Sequence, residues 1–142
     1  MERLKLDLIQ LKKSLKTLKS AFDIERELQK TCNPLFILAA QDSIIQRFEY
    51  CYEGFWKFLK RYLELIHMLN DINSPKKVFK ACVKIGLCST SEGDMFIDMA
   101  DDRNETLHTC NVESMRLILP EIPEYYLTII NIVQQVETHL NV

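Results

Sequence analysis

An arginine and a histidine five residues apart, Arg103 and His108, are the residues of this sequence best suited to chemistry. They lie in a polar and charged stretch, residues 98–110, between two segments with an apolar pattern. Arginine is always charged and grips phosphate with a planar fork, whereas histidine can accept or donate a proton near neutral pH. Together the two side chains could cleave a phosphodiester.

Helix geometry limits how this pair can meet. Residues five apart on an ideal helix point about 140° away from each other, whereas residues four apart share a face. Arg103 and His108 therefore meet only if the helix ends between them or if two copies of the chain face each other. Both arrangements stay open here, because Asn104 and Thr106 are mediocre helix residues and Asn111 is suited to cap a further helix.

The same pair also has a purely structural explanation. Arg103 could form an ion pair with a neighbouring acid at the surface end of a helix, and His108 could simply cap that helix. Four acids are close enough in sequence for such a pair: Asp98, Asp101, Asp102 and Glu105. These acids also argue against tight RNA binding by a single chain.

Composition predicts one all-α domain over residues 1–142. Hydrophobic residues make up 47% of the chain, and only 3 Gly and 4 Pro are available for turns. No alternating β-branched run indicates a sheet, and no apolar stretch is long enough for a membrane span. The net charge of −2 gives no overall attraction to nucleic acid, so RNA would need a local basic patch. We expect a cytoplasmic protein that is not bound to a membrane.

The cysteines predict reduced thiols. Their number is odd and no Cys-x-x-Cys pair occurs, so the sequence indicates neither a disulfide framework nor a zinc site. The sequence also lacks a glycine-rich phosphate loop and the paired aspartates of a nucleotidyl-transferring enzyme. We therefore expect no metal and no cofactor. The five cysteines are Cys32, Cys51, Cys82, Cys88 and Cys110.

Hydrophobic periodicity predicts an antiparallel four- to five-helix up-and-down bundle. The first helix carries an apolar seam with alternating steps of four and three residues, and it fades around residues 29–32. A second helix begins at Asn33-Pro34, where an N-cap precedes a proline, and runs to about Leu69. Its apolar residues cover more than one face, so we expect it to be the central helix.

Shorter helices follow the central one. The third is predicted over residues 75–85, and the fourth begins at a capping box that we assign to Ser91 and Asp94. We expect the fourth helix to end near Arg103. The last helical region should be interrupted or kinked by its prolines, Pro120 and Pro123.

The central helix also carries polar residues inside its apolar field. Arg47 and Glu49, with Gln46 beside them, either point into a polar pocket that supports a functional cleft or belong to an ion pair that orients the helix. The sequence leaves these two alternatives open.

Three stretches together resemble the HEPN superfamily, and within it the small proteins called nucleotidyltransferase substrate-binding proteins. They are residues 45–50 (Ile-Gln-Arg-Phe-Glu-Tyr), residues 55–60 (Phe-Trp-Lys-Phe-Leu-Lys) and residues 96–109, which contain the Arg-x4-His spacing. The Ser74-Pro75 helix start and the Gly86 stop also fit, so the resemblance covers almost the whole chain.

The resemblance implies a homodimer whose two Arg-x4-His motifs line one cleft, and a partner that is a minimal nucleotidyltransferase, usually encoded next door. It further implies the toxin of a toxin–antitoxin pair, a metal-independent endoribonuclease that this partner neutralises. In that role His108 would be the general base or acid acting on a ribose 2′-hydroxyl, and Arg103 would hold the phosphate. Asn104 would orient the pair or the RNA substrate.

One position departs from the family's pattern. Many members of the toxin group carry a tyrosine two residues after the histidine, where the partner attaches a nucleotide, but this chain has Cys110 there. A thiol is a poor stable acceptor for a nucleotidyl group, so the resemblance does not carry this form of neutralisation over. The alternative function is a non-catalytic subunit that gives a separate nucleotidyltransferase its substrate-binding surface.

Overall fold

The computed structural model describes residues 1–108 and 116–141, excluding the side chains of residues 106–108. These two ranges are helical and contain no strand, which confirms the predicted all-α bundle. Cys110 and most of the helix predicted after Asn111 lie outside the described residues. The elements are α1 (Glu2–Gln29), α2 (Pro34–Ile66), α3 (Pro75–Lys84), α4 (Thr90–His108), a 3-10 turn (Leu119–Glu121) and α5 (Ile122–Leu140).

Helix α1 packs against α2 through the predicted apolar seam. Burial of a leucine side chain contributes about 1.5–3 kcal/mol relative to exposure, so this seam is a large part of the apolar stabilisation. The helix ends at Gln29, within the predicted range. The predicted seam ends on Phe22, which is half-buried, and Ala21 is buried beside it. The predicted seam residues that are buried are Leu4, Leu8, Leu11, Leu15 and Leu18.

Helix α2 begins as the sequence predicts and ends earlier than expected. The Oδ1 atom of Asn33 accepts hydrogen bonds from the backbone N–H groups of Leu35 (3.1 Å) and Phe36 (3.3 Å), and Pro34 occupies the first turn. The helix stops at Ile66, although the sequence predicts an end near residue 69. The reason is the left-handed backbone of Met68, with φ of 55°, which no α-helix can continue through.

Aromatic side chains on α2 contact the other helices and make it the central element. The Phe55 ring centroid lies 5.1 Å from that of Phe96 on α4 and 6.1 Å from that of Phe79 on α3. The Phe48 ring stacks on Tyr125 of α5 at 5.9 Å. Pairs at these distances add about 0.5–1.5 kcal/mol beyond area burial, so α2 holds three helices in place.

The predictions for both ends of α4 are wrong. The reciprocal capping box uses Ser89 and Glu92, with the Glu92 N–H donating to Ser89 Oγ at 3.1 Å and the Ser89 N–H donating to Glu92 Oε1 at 2.9 Å. Two serine-x-x-acid patterns are compatible with a cap, Ser89 with Glu92 and the predicted Ser91 with Asp94. The longer glutamate side chain can reach the backbone N–H of the capping serine, whereas the shorter aspartate does not. The helix then continues to His108 instead of ending near Arg103.

The two late prolines change the path of the chain as predicted. Pro120 lies in the 3-10 turn, and Pro123 occupies the first turn of α5, where a missing N–H costs nothing. Asn141 ends α5 with a left-handed backbone, φ 56°.

Three cysteines behave as small core residues. Cys51, Cys82 and Cys88 are buried, whereas Cys32 is exposed, and all four are free thiols. Burial raises the pKa of the Cys51 thiol to about 12, so this thiol stays protonated near neutral pH. In the described part of the chain, no helix is both long and apolar enough to cross a bilayer.

Two glycines lie inside helices, and we expect their substitution by alanine to change stability in opposite directions. A Cβ at Gly93 would lie 2.3 Å from Val83 Cγ2, because α3 and α4 approach closely there, whereas a Cβ at Gly54 would meet Leu11 Cδ1 at an ordinary 3.6 Å. We expect Gly93→Ala to lower the free energy of unfolding by about 1–3 kcal/mol through overpacking. Gly54→Ala should raise it by about 0.5–1 kcal/mol through helix propensity.

Urea denaturation of the two variants measures this difference. Adding Val83→Ala to Gly93→Ala should recover part of the loss, because it removes the methyl group that the new Cβ meets. Equal stability of the two alanine variants would contradict the close α3–α4 approach.

Candidate functional site

Arg103 is buried against α2 rather than exposed at a helix end. Its residue surface is only 9% exposed, and its guanidinium carbon stands 5.9 Å from the centroid of the Tyr52 ring. One guanidinium nitrogen lies 3.8 Å from Glu53 Oε1. The structural explanation for this residue placed it at the exposed end of a helix, and its burial in the middle of α4 contradicts that position. Glu53 is fifty positions away, on the helix that α4 packs against.

The Tyr52 ring gives the arginine an uncharged aromatic face. Burial, and then the negative charge of Glu53, raise the pKa of Tyr52 to about 12, while the nearby Arg103 charge acts in the opposite direction. The phenol is thus neutral near pH 7. An arginine over an aromatic ring in a partly desolvated position gains roughly 0.5–2 kcal/mol, and its aliphatic stem packs as an apolar group.

Acids that precede Arg103 bind neighbouring helices instead. Asp101 forms an ion pair with Lys76 of α3, with Nζ to Oδ1 at 2.5 Å. Asp102 accepts a hydrogen bond of 2.6 Å from the Tyr125 hydroxyl of α5. Burial and this hydrogen bond to a carboxylate raise the pKa of Tyr125, so its proton stays on the phenol. These contacts fix α4 between α3 and α5.

The continuous helix through position 108 excludes one of the two arrangements considered for Arg103 and His108. Because α4 does not end between them, the two positions lie about 140° apart on its circumference. Within one chain, position 108 therefore does not share the helix face that carries Arg103. Only the pairing of two copies remains, and the His108 side chain itself is not among the described side chains. Asn104, next to Arg103, is exposed.

Arg47 and Glu49 do not face each other, because residues two apart lie on different sides of a helix. Arg47 is exposed and lines a groove between α1 and α2, whereas Glu49 is half-buried. Glu53 lines the same groove and also faces Arg103, so it connects the two surfaces.

Tyr52 and Glu53 are the two site residues that the sequence interpretation missed. A signal was available for the second, since Glu53 follows Glu49 by four residues and lies on the same helix face. No sequence signal distinguishes Tyr52 from the other aromatic residues of α2.

A cavity of about 540 Å³ beside α4 is acidic. Such a cavity disfavours phosphate, since like charges repel at short range. No three His, Cys, Asp or Glu side chains that the structure describes are grouped as metal ligands. The acids that line the cavity are Asp98, Asp101, Asp102, Glu105 and Glu121.

The burial of Arg103 predicts a structural role that can be measured. Arg103→Ala removes the contact with Tyr52 and the ion pair with Glu53, so we expect it to lower the free energy of unfolding by about 2–3 kcal/mol. The matched control Arg47→Ala removes an exposed arginine and should change the free energy of unfolding by less than about 0.5 kcal/mol. Guanidinium denaturation followed by circular dichroism compares the two. Similar losses for both variants would show that Arg103 does not anchor α4.

Comparison with known proteins agrees with the fold and with the family resemblance. A crystal structure of a Thermus thermophilus protein is similar to this chain, with a TM-score of 0.72 and 32% sequence identity over 88% of this chain and 97% of that chain. No curated protein matches the chain. The family model for nucleotidyltransferase substrate binding protein like proteins matches residues 6–138. The chain therefore belongs to this HEPN-type family of nucleotidyltransferase substrate binding protein like proteins.

Proposed function

We propose that this protein is the non-catalytic, substrate-binding subunit of a two-component nucleotidyltransferase. The observation that carries this proposal is the position of Arg103, which is buried over Tyr52 and faces Glu53. If Arg103 turned toward a scissile phosphate, it would lose its contact with the Tyr52 ring and its ion pair with Glu53. The family's description supports the same function, because it implies a partner nucleotidyltransferase.

Charge around α4 supports the proposal from a second side. A nuclease cleft must stabilise the extra negative charge of a phosphate in the transition state, and cationic groups usually do so. The cavity beside α4 instead presents five acids, among them Asp98 and Glu121. In the proposed function the partner supplies the reacting groups, and this chain needs only to bind the partner and the substrate.

The test is reconstitution with the partner. The chain is mixed with the minimal nucleotidyltransferase encoded beside its gene, and the complex is measured by analytical ultracentrifugation. Transfer from labelled nucleoside triphosphate onto cellular RNA and protein is followed with each component alone and with both. We expect a stable complex and transfer that requires both chains, and His108→Ala should change neither. Absence of a complex at micromolar concentration, or equal transfer by the partner alone, would refute the proposal.

A metal-independent endoribonuclease toxin is the second candidate. It is favoured by the uninterrupted course of α4, which carries the whole Arg-x4-His spacing on one helix with Asn104 exposed beside it. A homodimer that brings two such helices together would place His108 of one copy near Arg103 of the other. In that assembly His108 would move the proton of the ribose 2′-hydroxyl, and Arg103 would have to turn toward the phosphate.

Expression of the chain alone separates the two candidates. Wild type, His108→Ala and Arg103→Lys are expressed in a bacterial host, with Lys80→Ala on α3 as the control, and growth and total RNA integrity are followed. Lysine preserves the buried charge but not the bidentate fork, so Arg103→Lys is less disruptive to folding than alanine. Under the proposed function all four strains grow with intact RNA. Growth arrest and RNA cleavage that only the two motif variants relieve would establish the nuclease.

A further inference from the structure

The groove between α1 and α2 is cationic. It has a volume of about 510 Å³ and is lined by five basic side chains against two carboxylates. The whole chain has a net charge of −2, so positive charge is concentrated here. The basic residues are Arg3, Lys13, Arg47, Lys57 and Arg61, and the acids are Asp7 and Glu53.

The acids hold some of these cations in place and leave others available. Asp7 binds Arg61 at 2.6 Å and Arg3 at 3.5 Å, and Glu53 binds Lys57 at 3.3 Å. Lys13 and Arg47 form no ion pair with any described residue. They lie near the opposite end of the groove from Arg3 and Arg61, since α1 and α2 run antiparallel.

The length of the groove favours an extended polyanion over a single phosphate. It runs from Arg3 to Thr17 on α1 and from Arg47 to Arg61 on α2. At about 1.5 Å per residue, each side is roughly 20 Å long. One phosphate needs a single cluster of donors, whereas a row of cations of this length matches the repeated charges of a strand.

An aromatic side chain in the groove favours a strand that has bases. Tyr50 is 53% exposed, and its hydroxyl accepts a hydrogen bond of 3.1 Å from the Gln46 side chain. Exposed aromatic rings beside cations bind single-stranded nucleic acid through base stacking, whereas paired bases in a duplex are not available for it. The polar lining residues Gln10, Ser14 and Thr17 add hydrogen-bonding groups on the α1 side.

We infer that the α1–α2 groove binds single-stranded nucleic acid, with Lys13 and Arg47 contacting phosphates and Tyr50 stacking on a base. The inference deepens the proposed function, because it names the substrate class that the subunit would present to its partner. Presentation to the partner rests on the proposed function, whereas binding of the strand to the groove does not. The groove shares Glu53 with the Arg103 contact, so a bound strand would lie beside the helix that carries the Arg-x4-His motif.

Fluorescence anisotropy with the chain alone tests the inference without the partner. The probes are a labelled single-stranded RNA of about 12 nucleotides, the same sequence as DNA, and the matching duplex. We expect the wild type to bind single strands more tightly than the duplex at about 50 mM salt, and to weaken steeply as salt rises. The RNA and DNA probes show which sugar the groove prefers.

Charge reversal with a matched control identifies the site. Lys13→Glu with Arg47→Glu should weaken single-strand binding at least tenfold, whereas Lys80→Glu with Lys84→Glu on α3 shifts the net charge equally and should weaken it less than threefold. Tyr50→Ala should weaken binding at least threefold. All these residues are exposed, and circular dichroism checks that each variant is folded.

Three outcomes would overturn the inference. They are no binding by the folded wild type at low salt, equal weakening by the two charge-reversed variants, and duplex binding as tight as single-strand binding with no effect of Tyr50→Ala. Failure of the proposed function is distinguishable, because loss of the complex with the nucleotidyltransferase would leave these affinities unchanged.

Discussion

Helix α2 is packed on most of its circumference, and this constraint determines where the other elements lie. Its aromatic residues contact α3, α4 and α5, while α1 covers the remaining apolar side with a seam of leucines. Interiors of proteins are close-packed, so each neighbouring helix has one position in which its side chains fit. Residues on α2 that are not part of this packing, such as Arg47 and Tyr50, are presented at the edges of the contact with α1.

Burial of Arg103 is the second constraint, because a charge removed from water needs compensating contacts. Tyr52 and Glu53, consecutive on α2, supply an aromatic face and a carboxylate, and the carboxylate side chain remains 40% exposed. This arrangement fixes the rotation of α4 about its own axis. On the same helix, the adjacent acids Asp101 and Asp102 contact α3 and α5.

Two concave regions of the described residues carry charges of opposite sign. The α1–α2 groove is cationic, and the cavity formed by α4 and the 3-10 turn is acidic. Because the net charge of the chain is small, its long-range attraction for a charged ligand is weak. The separation of positive from negative surface charge instead determines how such a ligand is oriented when it is close. A polyanion would be attracted to the α1–α2 groove. A partner with a basic surface would not be repelled by the acidic cavity. This division is consistent with the proposed binding subunit and gives a nuclease centre within a single chain little electrostatic support.

The sequence by itself determined the features that depend on neighbours along the chain. The leucine seam of α1, the Asn33-Pro34 start of α2 and the proline-marked turn before α5 follow from local spacing, capping and missing N–H groups. The similarity of residues 96–109 to the family pattern also needed no coordinates. Local chemistry was ambiguous at the start of α4, where two serine-x-x-acid patterns compete and only one makes the reciprocal cap.

Only the tertiary structure decided which distant residues meet. Nothing in the sequence joins Arg103 to Glu53 and Tyr52, or Lys13 to Arg47, because these partners belong to different helices and their proximity depends on how the helices are rotated and paired. Periodicity predicts that a helix has an apolar face, but the residues opposite that face are set by packing of the whole bundle. For that reason packing buries Arg103, and a basic groove is formed by cations that belong to two different helices.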